Sequence, residues 1–118
     1  MPSSSPAARQ ALVDLLSDPL FEMIPLSNAL EQARHLPPGS RISVTASPNK
    51  TLDDSLDLAA KLTDQGFRVT PHLSARMTTS RGHLQHLLER IERIGMSRVF
   101  VVGGDGEVSG PYFDGLAL

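Results

Sequence analysis

The sequence predicts an α/β fold of parallel βα repeats, the first half of a (β/α)8 TIM barrel. Three observations carry that prediction. Short apolar segments rich in β-branched residues alternate with amphipathic segments of roughly ten residues or more, a pattern that pairs strands in parallel through right-handed crossovers. The run "VFVV", residues 99–102, has no polar alternation, as expected of a strand covered on both faces. Only four such strands fit into 118 residues, whereas a complete barrel takes about 250 residues. The chain also stops on the apolar "LAL", so a fragment of a longer enzyme, or a truncated reading frame, is expected. An open doubly wound sheet is the competing architecture. Residues 1–16 are assigned to an N-terminal tail and helix, and residues 17–118 to the half-barrel.

Each element has its own local warrant. "PSSSP", residues 2–6, reads as a loose tail. "AARQALVDLLSD" has apolar residues at helical spacing and stops near Pro19. "LFEMIPL" is a short apolar strand broken at Pro25. "SNALEQARHL" is a helix with Ser27 as its cap, and "PPG" forbids its continuation. "RISVTAS" is a second strand. "TLDDSLDLAAKLTDQGF" is the clearest helix, with Thr51 as cap, Asp53 and Asp54 in the first turn, and Gly66 at its end. Its buried stripe is Leu52, Leu56, Ala59, Ala60 and Leu62. "FRVTPHLSA" is a third strand that Pro71 interrupts. "SRGHLQHLLERIERIG" is a helix capped by Ser80 or Thr79 and closed by Gly95. "SRVFVVGG" is the fourth strand, and "GPYFDGLAL" reads as the start of one more helix.

Composition narrows the function. A formal net charge of -2 with no basic run argues against nucleic acid as a partner. There is no cysteine, hence no thiolate chemistry and no disulfide framework. The opening segment has no apolar run long enough for a signal peptide or membrane span, so a cytoplasmic protein without a membrane partner is expected. The two lysines, Lys50 and Lys61, fall in a loop and on a helix, which leaves no strand-end lysine for a Schiff base. "GGDGEVSG" is neither a Walker loop nor a dinucleotide fingerprint.

Ligands in parallel α/β folds sit at the carboxyl ends of the strands. Those ends carry Glu22, Thr45, His72 and Asp105, one polar group per βα unit. A carboxylate flanked by Phe21 and Met23 costs free energy unless paired. Thr45 alone is an ordinary strand former, His72 alone a histidine bonded to backbone, and Asp105 after two glycines a turn residue. His35, His83 and His86 fall on helix faces and are expected to be solvated. His83 and His86 stand three residues apart with no third ligand nearby, so no metal site is expected.

These strand ends resemble the amino-terminal part of the methylenetetrahydrofolate reductase family. The matching stretches are Phe21-Glu22 with Pro25, then Ser43-Val44-Thr45, then Pro71-His72-Leu73, then Gly104-Asp105. The resemblance implies a TIM barrel that holds FAD at its C-terminal rim. It implies that NAD(P)H reduces the flavin, which then reduces 5,10-methylenetetrahydrofolate to 5-methyltetrahydrofolate, and that the full-length form is a homo-oligomer. It further implies Glu22 as the general acid, its proton retained in an apolar pocket, and Asp105 beside flavin and pterin. Thr45, Ala46, His72, Gly103, Gly104 and Asp105 would bind the cofactor. Gly103 stands where the family commonly has arginine, and Arg76 offers either a replacement cation or one side of a rim salt bridge. Two other functions compete: a truncated, non-catalytic half-barrel that binds a partner through its open edges, and a flavin-free lyase using Glu22 and Asp105.

Overall fold

The structure is a computed structural model and describes residues 5–118. Of the tail expected over residues 2–6, residues 2–4 lie outside the described residues. The chain runs α1 (Pro6–Ser17), β1 (Leu20–Met23), α2 (Ala29–Ala33), β2 (Arg41–Val44), α3 (Leu52–Asp64), β3 (Arg68–Ser74), α4 (Arg81–Ile94) and β4 (Phe100–Val102). The four strands form one parallel sheet in the order β1-β2-β3-β4. Every crossover steps to the next strand in the same direction. The reversal that defines a doubly wound sheet is absent from these strands, and α2, α3 and α4 share one side.

α3 organises that side. It packs on β2 and β3, with α2 on one flank and α4 on the other. Thr51 Oγ1 accepts from Asp54 N at 3.0 Å, and Asp54 Oδ2 accepts from Thr51 N at 3.0 Å, a reciprocal capping box. Leu52, Leu56, Ala59 and Leu62 are buried against Ile42, Val44, Val69 and Leu73. Ser55 joins the buried face in place of Ala60, which is half-buried. Ser80 caps α4 by accepting from His83 N at 3.0 Å. α2 is shorter than expected and begins after Asn28, with no side-chain cap, so Ser27 does not play that role.

Three further expectations are corrected. Pro71 does not interrupt β3, which runs through it. Ala75 N donates to Val102 O at 2.9 Å, so the two-residue alternation of a parallel ladder points the Pro71 nitrogen the same way. The β3–β4 ladder begins only at His72 and Phe100, so the missing N–H forfeits no ladder bond. "GPYFDGLAL" forms no helix: Asp114 Oδ1 accepts from Leu116 N and Ala117 N, both at 3.0 Å, and holds a turn. Finally, "VFVV" is not covered on both faces. Phe100 is 55% and Val101 43% exposed. The sheet has one helical layer, and its other face is uncovered.

Register assigns residues to that uncovered face. Glu22 aligns with Ser43 and Thr70, and His72 aligns with Phe100. The opposite face carries Ile42, Val44, Val69 and Leu73, all in the core. No helix among the described residues is long and apolar enough to cross a membrane.

Candidate active site

The uncovered face gathers polar residues because period-two alternation sends the apolar ones to the helices. Glu22 is exposed on β1, two strands from His72 on β3. Its carboxylate enters no ion pair among the described residues, and the apolar enclosure expected around it is not formed by this chain alone. His72 is half-buried. Its ring meets that of Phe100 at a centroid distance of 5.0 Å and an interplanar angle of 54°. Burial pushes the His72 imidazole below its ordinary value, while the Glu22 charge pulls the other way. The imidazole therefore favours its neutral form, able to donate from one nitrogen and accept at the other.

Thr45 lies one residue past β2 and continues the ladder, its N–H donating to Met23 O at 2.9 Å. Ala46 follows it in the loop, half-buried. Asp105 stands exposed in the bend after β4, at the same end of the sheet. Glu22, Thr45 and His72 thus belong to one sheet face and its carboxyl edge, while Asp105 projects from the adjoining loop.

Gly104, the second of the two glycines before Asp105, has an internal explanation. Gly104 has φ +96°, and a Cβ there would fall 2.0 Å from Ser74 Oγ. Ser74 is fully buried. The missing side chain at Gly104 therefore makes room for this chain's own β3. Arg76 is likewise occupied: its Nη1 donates to Gly106 O at 3.0 Å and its Nε to Phe113 O at 3.2 Å. Its guanidinium ties the segment after β4 to the end of β3, so it holds the loop in place of serving as a free cation.

The expected flavin-binding set divides on this geometry. Thr45 and His72 fit the group, since they offer polar atoms on an uncovered face beside the aromatic ring of Phe100. The space where a Gly104 side chain would stand is taken by Ser74 of this chain's own β3.

Alternation from Glu22 and His72 also identifies neighbours that motif matching missed. Ser43 and Thr70 sit beside Glu22 in register, and Phe100 sits beside His72. The signal was their parity along each strand. At the opposite, amino-terminal end of the strands lies a groove of about 820 Å³ lined by Leu20, Arg41, Arg68, Thr70 and Phe100, among others. Asp18 ties this end together, pairing with both Arg41 and Arg68.

Two histidines expected to be solvated are not independent of the fold. His83 Nε2 lies 3.2 Å and His86 Nε2 3.3 Å from opposite oxygens of Asp53, which also accepts from Arg90 at 3.2 Å. His83 Nδ1 accepts from Thr79 N at 3.0 Å, so its proton resides on Nε2 and points to Asp53 when the ring is neutral. Burial alone would raise the Asp53 carboxyl, but hydrogen bonds from His83 and Arg90 outweigh it and hold the group below the usual carboxylate range. The network joins α3 to α4. No group of three metal-ligating side chains is placed to hold an ion among the described residues.

No protein-family model matches the chain.

Proposed function

We propose that the uncovered sheet face and its carboxyl edge are part of a reductase site of the methylenetetrahydrofolate reductase type, which reduces 5,10-methylenetetrahydrofolate to 5-methyltetrahydrofolate with NAD(P)H. The observation that supports it is the placement of Glu22 and His72 on one uncovered face, close enough for the Glu22 charge to act on the imidazole. A carboxyl group and an imidazole across a pleated face suit a reaction that needs one proton delivered and a polar ring held in place.

Glu22 delivers its proton to the folate amine nitrogen as the five-membered ring opens. The C–N bond breaks, its electron pair takes that proton, and the other nitrogen forms the iminium that accepts hydride. His72 and Thr45 orient the ring system by hydrogen bonding, and Phe100 shields the imidazole from water. FAD would be held by Thr45, Ala46 and His72 and would supply hydride transfer between nicotinamide and substrate. Asp105 stands at the loop edge, where a carboxylate hydrogen-bonds a pterin amino group.

The test separates the half-reactions. Glu22→Gln is expected to leave nicotinamide-dependent flavin reduction within about twofold and to lower folate reduction by about 10²-fold or more, in the range of general acid catalysis. Equal loss of both rates would remove Glu22 from the acid's role. Absence of flavin fluorescence quenching on titrating the chain with FAD would remove the flavin.

A further inference from the structure

We infer that two copies of this chain associate about a two-fold axis, β4 of each beside β1 of the other, closing an eight-stranded parallel barrel. The first observation is a difference within one face of the sheet. Leu73 and Val101 are register partners on the helical side. Leu73 is 4% exposed and Val101 is 43% exposed. The helical layer covers β3 and stops before β4, so Val101 and its neighbour Val99 lack a covering helix, and only the turn at Gly115 lies against Val101.

The second observation is the mirror of the first. α1 is a well-formed helix with a Ser5 cap, yet it buries no residue. Its Ala8, Ala11, Leu12, Leu15 and Leu16 form one apolar stripe at helical spacing. Leu12, Leu15 and Leu16 are 55–72% exposed. A three-turn helix with an unburied stripe is marginal in water without a partner.

These two defects complement each other. In a sheet wound in one direction, each helix lies over the groove between the strand before it and the strand after it. α1 precedes β1 as α2 precedes β2 and α3 precedes β3. Where β1 of a second copy pairs with β4, α1 of that copy occupies the position of the crossover helix between them and lies over Val99 and Val101. The two-fold axis runs along the barrel, so every strand stays parallel and both open edges are used at once.

The apolar area is of the right order. Leu12, Leu15, Leu16, Leu20, Val101 and Phe100 are each about half exposed or more, and such side chains with the two strand edges offer an area approaching the roughly 800 Å² per partner of a standard interface. Phe100 and Leu20 face inward and fill the barrel's lower interior, where the 820 Å³ groove now lies open. The inference does not depend on the reductase proposal: of the residues that reading uses only Phe100 recurs, and here as an apolar surface.

Sedimentation equilibrium at micromolar concentrations tests it, together with chemical cross-linking. The protein has no cysteine, so Leu15→Cys and Val101→Cys each introduce a single thiol. When the two variants are mixed with a short bis-maleimide, the mixed product is expected to exceed both like-with-like products. Leu16→Glu is expected to raise the dimer dissociation constant more than tenfold while the cooperative urea transition of the core persists, because α1 contributes nothing to the core. Val101→Glu is expected to do the same from the other side of the contact. A folded monomer, an open-ended polymer, a dimer insensitive to both substitutions, or a predominance of Leu15–Leu15 cross-links would each overturn the inference. A monomer would point to a different chain as the occupant of the edges.

Discussion

His72 shows how one residue joins packing to chemistry. Its desolvation on the uncovered face favours the neutral ring, and the Glu22 charge opposes that. The consequence for stability has a definite sign. Above the ordinary histidine value of 6.5 both folded and unfolded chains hold a neutral ring. As pH falls below it, the unfolded chain takes the proton more readily, so this group's contribution declines until the folded value is passed. We expect urea midpoints to decrease as pH falls below 6.5, and His72→Gln to flatten that part of the profile. Glu22→Gln removes the charge that holds the imidazole up, so the His72 resonance should titrate at still lower pH. An unchanged titration would mean that Glu22 and His72 do not share a face. Ser43, Thr70 and Phe100 were legible beside them only through alternation along the strands. The space at Gly104 was not legible at all, because Ser74 comes to it from another strand.

At the scale of elements, α3 is the best determined part of the chain. Its capping box, acidic first turn and apolar stripe lie within fourteen consecutive residues (51–64), so local rules suffice to place it. Thr51→Ala removes the cap and is expected to cost about 1 kcal/mol by urea denaturation. Asp54→Asn, which retains an acceptor, should cost less. α2 was overextended in the sequence because Ser27 has the right type for a cap, yet the chain turns once more before the helix begins. His83 and His86 were assigned to solvent because a helix pattern cannot see its neighbour. Only the packing of α4 beside α3 brings both rings to Asp53.

The molecule as a whole departs from a closed globule. Its radius of gyration is 16.6 Å, against about 13.5 Å for a chain of this length in a compact domain. α1 buries nothing, and β4 is exposed on both faces. The core sits entirely between three helices and one side of the sheet. Leu62, fully buried on the sheet-facing side of α3, is therefore a sensitive probe: Leu62→Ala should cost about 2–5 kcal/mol, measured from the shift in urea midpoint at constant slope. A loss below about 1 kcal/mol would place the core elsewhere.

What the sequence determined by itself was the order of elements as far as β4, the parallel sense of the strands, the cap of α3 and, to within one residue, that of α4. These follow from periodicity, β-branching, turn residues and crossover length, all of which act between near neighbours. The tertiary structure alone decided that the helices line one side and that "VFVV" is an exposed edge. It also decided that Glu22 and His72 look out from the same face, and that Gly104 yields to Ser74. Those outcomes depend on which strand lies beside which, and pairing between segments distant in the chain leaves little trace in the local pattern of either.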